Sequence, residues 1–147
     1  MSTPDSGYAA IDGERPALVP PGTYDVSFCA FSTFILFGRA SKLNLQFKIL
    51  TMGPYFEQRV SRYYNVTRII GRPGINGRFK VGFSSDFIRE YAKLFPVPNR
   101  LDRIPMSAFE KHIFTAKVRT VEKGSQQEDI PEVLRYSVIS ELIGIKQ

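Results

Sequence analysis

One histidine, His112, and one cysteine, Cys29, are all that the chain offers for imidazole or thiol chemistry. A triad would hang on a single residue, and a zinc cluster needs three or four nitrogen or sulfur ligands. Two-metal hydrolysis needs several converging carboxylates, yet the acids are scattered, and Glu128, Asp129 and Glu132 fall in a polar stretch with loop character. The run Gly71-Arg72-Pro73-Gly74-Ile75-Asn76-Gly77 is glycine-rich but lacks the Gly-Lys-Ser/Thr ending that cradles phosphate in a P-loop. The expectation is a protein that is not an enzyme and needs no cofactor and no metal.

Binding chemistry is better supplied. Between Arg39 and Lys80 lie nine cations: Arg39, Lys42, Lys48, Arg59, Arg62, Arg68, Arg72, Arg78 and Lys80. Glu57 is the single acid there, so the segment carries +8 against +6 for the whole chain of 147 residues. Tyr55, Phe56, Tyr63, Tyr64 and Phe79 are interleaved with the cations. Cations that follow phosphates and aromatic faces that stack on bases are what a single nucleic-acid strand needs. The candidate binding residues are those nine cations with Tyr63 and Tyr64. Adjacent residues of a strand point to opposite faces, so one of the two tyrosines is expected to stack and the other to fill the core. A solvated strand face is the competing reading for Arg59 and Arg62.

The elements that must position these residues are mostly strands. Leu43, Leu45, Phe47 and Ile49 alternate with Lys42, Asn44, Gln46 and Lys48, the signature of a strand buried on one face. Tyr24, Val26, Phe28 and Ala30 alternate in the same way before it. A third strand is expected from about Tyr55 to Val66, and a mobile loop over 71–82, where Gly and Pro recur. Ser84-Ser85-Asp86 caps a helix whose apolar positions are Phe87, Tyr91, Leu94 and Phe95, ended by Pro96. A short helical turn is expected near Pro105-Met106-Ser107. Closing strands are expected at His112–Val121 and Leu134–Ile139. The order β-β-β-α-β-β predicts an all-β domain with one main helix, a five-stranded OB-fold barrel over residues 21–147. Residues 1–20 are small, polar and proline-bearing, and are expected to form a flexible arm.

Three passages carry a resemblance. They are Pro20-Pro21-Gly22-Thr23-Tyr24-Asp25-Val26, then Leu43 to Leu50, then Gly53-Pro54-Tyr55-Phe56-Glu57-Gln58-Arg59-Val60. In this layout the chain resembles phage and plasmid OB-fold proteins of the single-stranded-DNA-binding type. The resemblance covers roughly residues 20–66 and, more weakly, Tyr136-Ser137-Val138. It implies a role in replication or recombination of a mobile genetic element, beside a helicase or primase, with single-stranded DNA as partner and RNA as the alternative ligand. The chain departs from that layout at Phe34-Ile35-Leu36-Phe37, where a polar loop is usual, and at Glu57-Gln58, where glycine is common.

The apolar run 34–37 has three readings: a buried continuation of strand one, a contact between protomers of a homo-oligomer, or a base-stacking element. Burial or self-association is favoured, because large apolar patches seldom stay exposed. A rival to nucleic-acid binding is therefore an assembly module that docks a replication enzyme or builds an oligomer. No stretch is long and apolar enough to cross a bilayer. A lone cysteine and no signal sequence lead us to expect a cytoplasmic protein with no membrane partner.

Overall fold

The computed structural model describes residues 18–124 and 126–147. Its eight strands are β1 (Gly22–Leu36), β2 (Ala40–Ile49), β3 (Arg59–Asn65), β4 (Arg68–Ile70), β5 (Gly74–Ile75), β6 (Arg78–Lys80), β7 (Ile113–Val121) and β8 (Tyr136–Ile145). One α-helix, α1 (Asp86–Leu94), lies between β6 and β7, and 3-10 turns cover Met106–Lys111 and Glu132–Leu134. The fold is mostly β. β1 pairs with β2, β2 with β3, β3 with β8, β8 with β7 and β7 with β1, so the main sheet closes on itself. Every contact in that ring is antiparallel except β3 with β8.

The inward face of β2 is the alternation read from the sequence: Leu43, Leu45, Phe47 and Ile49 are wholly buried. Val26, Phe114, Val118, Ile139 and Leu142 meet them from the other strands. Aromatic rings fill the remaining space edge to face, with Phe47 against Phe28 and Phe114, and Phe109 against Tyr91 and Phe95. Burying each such side chain contributes about 1.5–3 kcal/mol.

β1 departs from its expected phase. Phe28 sits opposite Phe47, but Ala30 sits opposite Gln46, so Cys29 is the extra residue of a bulge. The bulge turns Ala30 outward, where a simple alternation would turn it in, and brings Phe31 and Thr33 inward opposite Leu45 and Leu43. The strand then runs on through the apolar stretch 34–37 to Leu36. That stretch is not a fully buried run: Phe34 is half-buried, Leu36 buried, and Ile35 and Phe37 exposed.

Other boundaries also move. Residues 55–58 form a turn, with the amides of Phe56 and Gln58 donating to the carbonyls of Gly53 and Tyr55, so β3 begins at Arg59. β8 reaches Ile145, well past Ile139, with Ser140 bulged out where Val118 faces Ile139 and Lys117 faces Glu141, and Ile143 bulged out where Ala116 faces Leu142 and Thr115 faces Gly144. Most of the expected arm, residues 1–17, lies outside the described residues. Val19 is buried in the core, with its amide on Ser137 Oγ at 2.7 Å and its carbonyl accepting from that hydroxyl at 3.0 Å.

The glycine-rich segment 71–82 is built into the fold, where a mobile loop was expected. β5 pairs with β1 at Ser32 and Thr33, and β6 pairs with β4 to form a separate two-stranded ribbon. Thr33 Oγ1 accepts from the Gly74 amide at 3.2 Å, and the Asn76 amide donates to the Phe31 carbonyl at 3.0 Å. Gly77 packs so closely on Thr33 that a Cβ there would lie 2.2 Å from the hydroxyl. Helix α1 begins as expected: Ser85 Oγ accepts from the Ile88 amide at 3.2 Å.

Candidate functional site

Register sorts the expected site residues by face, because residues directly opposite each other in a ladder share a face. Outward on β2 stand Lys42, Asn44, Gln46 and Lys48, since their neighbours Leu43, Leu45 and Phe47 point in. Across β3 their partners are Asn65, Tyr63, Ser61 and Arg59 in that order. Across β1 they are Phe34, Ser32, Ala30 and Ser27. One outer face thus carries Lys42 beside the Phe34 and Tyr63 rings, with Lys48 and Arg59 facing each other farther along it. Those rings stand on strands either side of β2, with centroids 6.2 Å apart and planes at 89°. They meet edge to face across β2, a contact of about 0.5–1.5 kcal/mol.

Two polar bonds order this face. Lys42 Nζ donates to Asn65 Oδ1, and Arg59 donates to Gln46 Oε1 at 2.9 Å. Partial burial pulls the Lys42 ammonium below the usual lysine range. Neither bond neutralises a charge, so both cations keep their positive field. Asn44, between them, is 1% exposed, and its Oδ1 accepts no hydrogen bond. A buried acceptor left unmet costs about 1–3 kcal/mol.

Arg62 and Tyr64 belong to the opposite face and leave the expected binding set. Arg62 is opposite Leu45 and Tyr64 opposite Leu43, both pointing inward. Arg62 lies against α1, where Nε and a terminal nitrogen donate to the Glu90 carboxylate at 3.2 and 2.5 Å. Its guanidinium also sits 4.3 Å from the centre of the Tyr64 ring. Burial is the largest single influence on Arg62 and works against its charge, but the hydrogen bond to Glu90 and the neighbouring Tyr64 and Glu90 together outweigh it, and the guanidinium is held above its ordinary range. Tyr64 is 3% exposed and donates to Glu90 Oε1 at 2.8 Å. Burial first, and the neighbouring Glu90 charge second, push its phenol well above the usual value. Glu90 also accepts from the Leu142 amide at 3.1 Å. The triad fastens the helix to β3 and β8.

The remaining cations form a second exposed group. In the ribbon Arg68 faces Lys80 and Ile70 faces Arg78, while Ile69 and Phe79 take the other side. Phe79 is buried against Phe31 and Phe87, so Arg68, Arg78 and Lys80 point away from the core. Arg72 is exposed beside them, and a cleft of about 410 Å³ lies next to Arg78 and Arg103 over Phe31 and Phe79. Arg39 is exposed in the β1–β2 turn, where Phe37 holds a left-handed backbone (φ 55°) and exposes its ring. Bulky residues seldom adopt that conformation.

Among the described residues, Arg62 is the one cation of the nine in an ion pair. The other ion pairs use cations outside that set: Arg89 with Asp86, Lys93 with Glu141, Arg100 with Asp102, Lys123 with Asp129 and Lys146 with Asp25. Among the described residues, eight of the nine cations are thus exposed or part-exposed with no carboxylate partner. His112 lies against the rings of Phe95 and Phe114, at 5.9 and 6.3 Å. Among the described residues no three His, Cys, Asp or Glu side chains gather as a metal site, and no helix is long and apolar enough to cross a membrane. No protein-family model, no curated protein and no solved structure matches the chain.

Proposed function

We propose that this protein binds single-stranded DNA, largely without sequence preference, through the outer face of β1, β2 and β3, and that its closed sheet is an OB-fold barrel. The carrying observation is the set of eight cations between Arg39 and Lys80 that have no carboxylate partner among the described residues, three of them on the outer face that also carries the Phe34 and Tyr63 rings. Phosphates would follow Lys42, Lys48 and Arg59, and bases would stack on Tyr63 and Phe34. The ring order β1-β2-β3-β8-β7, its parallel β3–β8 contact and a helix before β7 support the barrel reading. In an OB-fold the second and third strands form the binding face, which is where Lys42, Lys48 and Arg59 lie. The same reading puts the protein in replication or recombination of a mobile element, as a binder rather than a catalyst, with RNA as a competing ligand.

The test is fluorescence anisotropy of a labelled dT oligonucleotide and a matched duplex at low and moderate salt. Tight binding to the single strand that weakens steeply with salt is expected, because phosphate neutralisation releases counterions. No binding at low salt would end the proposal. The second reading, a module that docks a helicase or primase or self-associates, draws on the exposed Ile35, Phe37 and Ile75. It would be favoured by salt-insensitive association with no affinity for DNA.

A further inference from the structure

The cleft of about 410 Å³ beside the ribbon has none of Lys42, Lys48, Arg59 or Tyr63 in its lining. Two segments distant in sequence supply most of it: 76–79, which enters β6, and 102–106, which leads into the second 3-10 segment of the chain, Met106–Lys111. Phe31 and Ile104, both half-buried, give it an apolar floor, backed by the buried Phe79 and Met106. Arg78 comes from one segment and Arg103 from the other. Both are exposed, and neither has a carboxylate partner among the described residues. The one carboxylate of the lining, Asp102, is already matched: it accepts from Arg100 at 2.7 and 3.0 Å. Both segments are tied in place. The Asn76 amide donates to the Phe31 carbonyl and the Gly77 amide to the Gly74 carbonyl, each at 3.0 Å. The Tyr91 hydroxyl donates to the Pro105 carbonyl at 2.9 Å, and the Val81 amide joins the two segments through the Leu101 carbonyl at 3.1 Å. A preformed site spares a ligand the cost of ordering it. The volume lies within the range of about 300–1,000 Å³ that small-molecule sites occupy.

We propose that this cleft is a nucleotide site, with the phosphate held by Arg78 and Arg103 and the base laid on the floor of Phe31 and Ile104. A guanidinium presents paired N–H donors that fit phosphate oxygens two at a time. Two of them converging without an acid to answer them suit a doubly charged phosphate monoester. The arginines alone would accept any anion, and the floor alone any apolar group. A molecule with a flat apolar face and a phosphate uses both. Asn76, exposed in the same lining, adds an amide for the edge of the base. The same chemistry can come from two sources, a free nucleoside monophosphate or the 5′-phosphorylated end of a nucleic-acid strand. The site stands apart from the outer face of β1, β2 and β3, so the inference does not depend on the single-strand reading of that face.

Deoxyadenosine 5′-monophosphate, deoxyadenosine and inorganic phosphate are the probes, titrated by calorimetry into the full chain and into Arg103→Ala. The monophosphate is expected to bind about tenfold or more tighter than either of its parts, because each half holds the other in place. Arg103→Ala is expected to lose about tenfold of that affinity, the worth of a charge-assisted hydrogen bond, with its melting temperature kept. Oligo-dT carrying a 5′-phosphate or a 5′-hydroxyl separates the two sources. A preference for the phosphorylated end that disappears in Arg103→Ala assigns the cleft to a strand end. Equal affinities, with the monophosphate still bound, assign it to a free nucleotide. No binding of the monophosphate, binding no tighter than inorganic phosphate, or an affinity unchanged in Arg103→Ala would each overturn the proposal. Bound monophosphate with no affinity for either oligonucleotide would end the outer-face reading and leave this site standing.

Discussion

Arg59 and Arg62 stand three residues apart on one strand and do opposite work. Arg59 lies on the outer face, touches the neutral Gln46, and keeps its charge available to a ligand. Arg62 lies on the inner face, where Glu90 takes two of its donors and Tyr64 stacks beneath it. The same side chain is an unpaired surface charge in one place and an internal fastener in the other. What separates them is strand parity and the single carboxylate that α1 delivers. A basic segment cannot be read as a binding surface until each charge has been assigned to a face.

The contrast breaks most visibly at Arg62. Arg62→Ala leaves the Glu90 carboxylate buried without its cation, a loss expected to destabilise the fold by about 3–5 kcal/mol. Chemical denaturation would show it, while the folded fraction should bind a single strand with unchanged salt dependence. Tyr64→Phe removes a hydrogen bond to the same carboxylate and is expected to cost about 1.5–3 kcal/mol at neutral pH. It should also alter the alkaline limb. Burial holds the Tyr64 phenol above its usual value near 10.0, so it favours the fold below about pH 10 and withdraws that support as pH rises toward its folded value. Melting temperatures from pH 8 to 11 should fall less steeply in Tyr64→Phe than in the wild type.

On the outer face the signs reverse. Lys48→Ala with Arg59→Ala should change stability by no more than about 0.5 kcal/mol. Its affinity for oligo-dT should fall about tenfold at low salt, and the slope against salt should drop by about two, one for each phosphate contact. Arg68→Ala with Lys80→Ala sharpens the comparison by asking whether the ribbon belongs to the same surface. A loss of a few-fold, smaller than for the strand pair, is expected if the strand of DNA runs past the ribbon without centring on it.

Much of the architecture was legible in the residues. The alternation over β2 gave one buried face and one polar face, and the run Ser84-Ser85-Asp86 marked where the helix starts, with Ser85 as its cap. The bulges at Cys29 and Ser140 were not legible, because each is a single extra residue whose only mark is a broken phase. β4, β5 and β6 are two or three residues long, too short to show any period, and their glycines read as loop. The misplacement of Arg62 had a signal within reach: an odd spacing from Arg59 on a regular strand sends the two side chains to opposite faces. Its partner had none, since Glu90 reaches β3 only after the chain has formed the ribbon and turned into the helix. Asn44 passed unnoticed as one polar residue in a polar row, and its burial comes from what the fold brings around it.

The most direct measurement is the salt dependence of oligo-dT binding for three proteins: the wild type, Lys48→Ala with Arg59→Ala, and Arg62→Met, which keeps an unbranched apolar chain in the interior. The account expects the outer pair to flatten the slope while leaving the melting temperature nearly unchanged, and Arg62→Met to lower the melting temperature while leaving the slope intact. A slope that flattens in Arg62→Met and stays unchanged in the outer pair would contradict it.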